Sequence, residues 1–166
     1  MSETTTITRL VTFRVGTELF AADIFSVERV LRYEPARSMP NLPSWMEGVL
    51  EIAGRVVPVI DLRRRFGMHA PLPGSQARLL VLSVRGDWMG AVVDQVLDIR
   101  PVAPDEITPP PAIVRGIAGD YLRGVVRRGD SLVVVLDIDR ILATTEQLAL
   151  GAATQRDVLP EGAIDV

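Results

Sequence analysis

The sequence predicts an all-β protein built from two similar small units. Short β-branched runs bounded by Gly, Asp or Pro punctuate it: Leu10–Val15, Val56–Ile60, Leu79–Val84 and Leu132–Leu136. Turn signals stand between such runs, at Gly16-Thr17-Glu18 and Arg85-Gly86-Asp87, and this spacing suits small barrels or a sandwich. The chain also repeats itself. Residues 11–30 slide onto 80–99 with a shift of 69, matching Val15 to Val84, Ala22 to Ala91, Val27 to Val96 and Val30 to Ile99. Residues 48–66 slide onto 124–142 with a shift of 76, matching Gly48 to Gly124, Asp61 to Asp137 and Arg64 to Arg140. Two shifts so close together indicate a tandem duplication. Residues 11–66 and 80–142 are therefore expected to form two similar units.

Each element has a local reason. Asp61 and Asp137 stand where a strand ends and a short helical segment begins, which is the N-cap position. Gly67 follows the first of these segments at the usual helix-terminating position. Pro58 removes a backbone donor, so its strand is expected at a sheet edge or a bulge, and Leu132–Leu136 more centrally. Residues 68–76 read as a Pro/Gly connector. Pro101, Pro104 and Pro109-Pro110-Pro111 read as a stiff crossing segment. Thr144-Thr145-Glu146-Gln147 reads as a capping box opening a short helix. Residues 1–8 and 151–166 are expected to be disordered, leaving one domain over 9–150.

Composition removes most chemistry. The 166 residues include no cysteine, so thiolate metal sites and a Cys nucleophile are excluded, and the one histidine, His69, lies in a loop. Asp137 and Asp139 are too few for a hard-cation site, and no P-loop occurs. No metal and no cofactor is expected. The net charge of −3 gives no global basic field. All 18 basic residues are Arg, and the local clusters Arg63-Arg64-Arg65 and Arg127-Arg128 read as solvated surface, away from Trp45 and Trp88. The N-terminus lacks an export signal and no apolar run is long enough for a bilayer, so a cytoplasmic protein is expected. What remains is apolar surface. Val27 with Val30, and Val96 with Ile99, form matching i, i+3 pairs that are either core between the units or a groove for a partner's helix.

The residues Phe13 to Val27, Leu42-Pro43, Gly48-Val49, Gly54-Arg-Val-Val-Pro-Val-Ile-Asp-Leu62, Gly90 to Val96, Ile107-Thr-Pro-Pro-Pro111 and Val135 to Asp139 resemble the CheW family of bacterial chemosensory coupling proteins. The resemblance runs from about residue 9 to about residue 150. It implies two SH3-like five-stranded β-barrel subdomains related by a pseudo-twofold axis, with short helices after the barrels and near the C-terminus. It further implies a non-catalytic adaptor linking methyl-accepting receptors to a CheA-type histidine kinase, without membrane insertion but recruited to receptor arrays. Transferred by position, the receptor groove comprises Val27, Arg29, Val30, Leu79, Val96 and Ile99. The kinase contact lies around Ala53 and Arg55, with Met46 and Ile52 as apolar anchors. Two features depart from the family pattern. The stretch that usually reads Asn-x-Arg-Gly is Glu51-Ile-Ala53-Gly54, and the usual acidic residue two positions after Val27 is Arg29. The usual ion pair is therefore absent, and Glu28 or Glu51 is expected to answer Arg29. These departures suit a divergent system, or a regulator that binds kinase or another adaptor without receptor. A different class, an Arg-rich nucleic-acid-binding barrel, would reveal itself by steep salt dependence.

Overall fold

The computed structural model describes residues 7–69, 71–110 and 121–141. Among these residues the chain is all-β. The strands are β1 (Thr8–Val15), β2 (Glu18–Asp23), β3 (Val27–Arg32), β4 (Met46–Ile52), β5 (Arg55–Asp61), β6 (Arg78–Val84), β7 (Asp87–Val93), β8 (Gln95–Val102), β9 (Leu122–Arg128) and β10 (Ser131–Leu136). One short helix, α1 (Leu62–Arg65), follows β5, and a 3-10 turn, Ile138–Arg140, follows β10. The strands form two five-stranded sheets. Sheet 1 has the order β8-β1-β2-β10-β9 and sheet 2 the order β3-β6-β7-β5-β4.

The two sheets share one pairing pattern. In each, a hairpin (β1–β2 or β6–β7) meets a parallel neighbour (β10 or β5), which pairs antiparallel with the last strand. The first strand in each order crosses over from elsewhere in the chain. β3 follows the β1–β2 hairpin in sequence yet pairs with β6, and β8 follows β6–β7 yet pairs with β1. The expectation that 11–66 and 80–142 each build their own unit is thereby corrected: sheet 1 draws strands from both ends of the chain.

Side-chain alternation buries both faces of each sheet. Phe20 and Ala22 of β2, Leu80 and Leu82 of β6 and Met89 of β7 enter one large cluster shared by the sheets, with Leu62, Ile138 and Ile141. The intervening residues turn the other way. Leu10, Ala21, Val133 and Val135 form a smaller cluster under sheet 1, and Val57, Val59, Leu79, Val81 and Val92 form its counterpart under sheet 2. Each sheet curls over its own cluster so that its outer strands approach without a backbone ladder joining them. In sheet 1, Arg128 of β9 donates to Asp98 of β8 at 2.6 Å, and Thr108 bridges to Val125. In sheet 2, Tyr33 just after β3 donates to Glu47 of β4 at 2.5 Å, and Arg37 bridges to Val49.

The matched glycines now have a cause. A Cβ on Gly48 would overlap the Arg37 carbonyl oxygen, and one on Gly124 would lie 2.6 Å from the Thr108 carbonyl oxygen. At both places the chain returning from an outer strand crosses directly over the glycine. Other local expectations divide. Asp61 caps α1, accepting from Arg63 N at 3.0 Å, and Gly67 adopts φ +71 beyond it. Asp137 occupies the same position before its 3-10 turn but accepts no cap hydrogen bond, instead pairing with Arg140 at 3.8 Å. β5 is not an edge strand: it lies between β7 and β4, just as β10 lies between β2 and β9. Pro58 is tolerated because the ladder with β7 begins one residue later, at Val59, and a bulge in β4 lies opposite Val59 and Ile60. Pro101 belongs to β8, an edge strand, where a missing donor costs little. Thr8 opens β1. The expected capping box at 144–147, the tail and residues 1–6 lie outside the described residues.

Candidate functional site: an apolar strip between two edge strands

β3 and β8 are edge strands of different sheets, and each carries one β-bulge. In a regular strand, residues three apart face opposite sides. The bulges cancel that. In β3 the register slips between Val27 and Arg29, so Val27 sits opposite Leu82 and Val30 opposite Leu80, both members of the shared cluster. In β8 a matching slip sets Val96 opposite Phe13 and Ile99 opposite Val11, two residues apart on β1. Both i, i+3 pairs thus come to one face of their strands.

The shared core runs out along this line. Val27 and Val96 are half-buried against it, while Val30 is 45% and Ile99 56% exposed. This apolar strip of two pairs, one on each edge strand, is neither sealed core nor isolated surface: in each pair the valine nearer the strand start packs on the shared core and the other side chain is free. Phe25, 90% exposed in the 3-10 turn Ile24–Ser26, stands two residues before Val27, its N–H bonded to Asp23 Oδ1 at 2.9 Å. Sequence reasoning passed over Phe25, although an aromatic residue in a turn between strands was the available signal.

The other expected site residues fall elsewhere. Leu79 is 1% exposed in the cluster under sheet 2, on the face opposite Val30, so it is not brought to the strip. Arg29 shares that opposite face, because it pairs with Val81 of the same cluster. Its guanidinium lies 5.7 Å from the Trp88 ring centre, and Arg55 lies 4.0 Å from the same ring. Among the described residues no ion pair joins Arg29 to Glu28 or Glu51, and its guanidinium meets the indole face instead. The structure therefore groups Arg29 with Arg55 of the expected kinase set. Ala53 is exposed in the β4–β5 turn at φ +52. Met46 and Ile52 are 5% and 7% exposed, as core residues of the shared cluster and of the cluster under sheet 2. As placed, they support the fold and offer no surface anchor.

The basic clusters are largely engaged. Arg63, expected on a solvated helix face, is 2% exposed. Its guanidinium donates to Asp61 Oδ1 and Oδ2 at 3.1 and 3.0 Å, to the Pro71 carbonyl at 2.7 Å and to Asp94 Oδ1 at 3.4 Å. The Asp61 hydrogen bonds hold this cation even more firmly charged than an ordinary arginine. Asp94 Oδ2 in turn accepts from Gly16 N at 2.6 Å, so one network, buried at Asp61 and Arg63 and part-buried beyond, ties α1, the connector and the β1–β2 turn. Arg65 lies over both Trp45, at 5.4 Å, and Tyr121, at 4.7 Å, which corrects the expectation that Trp45 stands apart. His69 is exposed. Among the described residues no group of three or more His, Cys, Asp or Glu is arranged to hold a metal ion, and no helix is long and apolar enough to cross a membrane.

Known proteins bring the same fold and family together. The family model described as CheW-like domain matches residues 9–146. The chain is 31% identical over 142 residues to the chemotaxis protein CheW of Treponema pallidum, covering 83% of this chain and 84% of that one. It is 33% identical over 141 residues to protein FrzA of Myxococcus xanthus, covering 83% and 87%. Among solved structures, the scaffolding protein TtCheW from Thermoanaerobacter tengcongensis superposes with a TM-score of 0.78 at 26% identity, covering 85% of this chain and 96% of that one. With the two-sheet fold in place and the family model spanning most of its length, the chain belongs to the CheW family, the non-catalytic scaffold and adaptor proteins of chemotaxis.

Proposed function

We propose that this chain couples methyl-accepting receptors to a CheA-type histidine kinase, and that Val27, Val30, Val96 and Ile99 receive the receptor's helical tip. The observation that supports this reading is the strip itself. Two edge strands carry matching bulges whose joint effect is to leave apolar side chains half-covered at the margin of the core. An amphipathic helix would bury those ends in the helix-in-groove manner. We read the two sheets, with their common pairing pattern and approaching outer strands, as SH3-like barrels about a pseudo-twofold axis. In this reading the protein is cytoplasmic and reaches membrane-associated arrays through its receptor partner.

The test is assembly. The protein is mixed with the receptor's cytoplasmic tip fragment and the kinase regulatory domain from its own organism, and complexes are resolved by size-exclusion chromatography with light scattering. Coupling predicts a ternary complex larger than either binary one. Binding to neither partner would remove the reading. A second reading, a regulator that engages kinase without receptor, is favoured by Arg29 standing where the family carries an acid. It predicts the kinase complex alone.

A further inference from the structure

We propose that Arg29, Trp88 and Arg55 form a docking platform for an acidic segment of the kinase-side partner, separate from the apolar strip. Three strands build it: Arg29 comes from β3, Trp88 from β7 and Arg55 from the start of β5. Trp88 is half-buried against the cluster under sheet 2, which fixes its ring, and two exposed guanidiniums approach that ring at 5.7 and 4.0 Å. An indole face attracts a cation through its quadrupole, but it does not neutralise the charge. Two guanidiniums gathered on one ring, with no ion pair to either among the described residues, leave two neighbouring positive charges without a direct counter-ion. Planar guanidiniums held in this way are pre-organised to bind carboxylates bidentately.

Which partner carries the carboxylates follows from the sheet. Arg29 and Val30 are consecutive, and Val30 faces the shared core while Arg29 faces the cluster under sheet 2. A helix lying along the strip is thus separated from the platform by the thickness of sheet 2. An adaptor needs a second surface for its second partner, and Arg55 and the Ala53 turn border this one. The inference rests on the adaptor reading above and adds the chemistry of its second contact: Trp88 as an organising residue and Arg29 moved from the receptor side to the kinase side.

The experiment measures binding of the kinase regulatory domain and of the receptor tip fragment, separately, to the wild-type protein, to Arg29→Gln/Arg55→Gln and to Trp88→Leu. Thermal melts show that each variant is folded. Exposed interfacial charges are individually modest, so the double variant is expected to lose about tenfold in kinase-domain affinity at low salt. Its affinity should also respond less to added salt than the wild type's, while receptor-fragment affinity stays the same. Arg55→Lys keeps the charge but not the planar fork and is expected to fall between. Kinase-domain affinity equal in the wild type and the double variant, or a loss confined to the receptor fragment, would overturn the platform. Val30→Asp reports on the adaptor reading independently. If it weakens the receptor fragment while the platform variants change nothing, the platform alone fails; if the wild type binds neither partner, both fail together.

Discussion

Gly48 and Gly124 show how a single absent methyl group can be read twice. Both lie where a returning chain crosses an outer strand, and a side chain would meet backbone oxygen rather than something able to swing aside. Gly124→Ala is expected to cost about 2 kcal/mol or more in chemical denaturation. Gly74→Ala, in open space and at an ordinary φ, should stay within about 0.5 kcal/mol of wild type. Arg63 carries a larger stake. Its removal would leave buried Asp61 with only the half-exposed Arg64, at 3.7 Å, and would strip partly buried Asp94 of its cation, so Arg63→Ala is expected to lose about 3 kcal/mol, read from the same denaturation curves. Tyr33 gives a pH dependence. Burial first, then its hydrogen bond to Glu47, raise its phenol above the ordinary value of about 10. Because the folded form holds the proton more tightly, that stability is complete below pH about 10 and drains away as pH rises beyond it. Tyr33→Phe should flatten the alkaline fall in denaturation midpoint between pH 9 and pH 11; an identical slope in both proteins would contradict this. The glycines and Asp61 were legible because their demands are local or repeated. Arg63 was not: Asp94, its long-range partner, lies 31 residues away.

At the scale of elements, the β3 and β8 bulges decide which residues share a face. A sequence written out as i, i+3 pairs suggests proximity but does not reveal the extra residue that makes it true in a strand. This is why Val27, Val30, Val96 and Ile99 emerged together, while Arg29 and Leu79, assigned to the same groove by position, landed on the other face. The two valines of β3 also differ from each other. Val27 is packed against the shared cluster, so Val27→Asp is expected to lower the melting temperature by several degrees, as burial of an unpaired charge does. Val30 is 45% exposed, and Val30→Asp should melt within a degree or two of wild type. Pro58 gave a different lesson. The missing donor was rightly noticed, but an edge was not required, because its ladder with β7 starts one residue later.

For the whole molecule, the duplication in the sequence and the division in space do not coincide. The repeat was visible, yet each sheet takes its first strand from across the chain, through pairings of β3 with β6 and β8 with β1. Local patterns name strands and turns; they carry no information on which hairpin an edge strand will join. The exchange leaves Val27 of β3 and Val96 of β8 packed against one shared core, and the proposed docking strip rests on that. Docking of a receptor helix on that strip is the central claim. The measurement that tests it most directly is the affinity of the receptor tip fragment for the wild type and for Val30→Asp, by titration calorimetry, with melting curves alongside. Burying an apolar side chain is worth about 1.5–3 kcal/mol, so the expected result is an affinity at least about tenfold weaker with the melting temperature nearly unchanged. Equal affinity in the two proteins, with the fold intact, would contradict it.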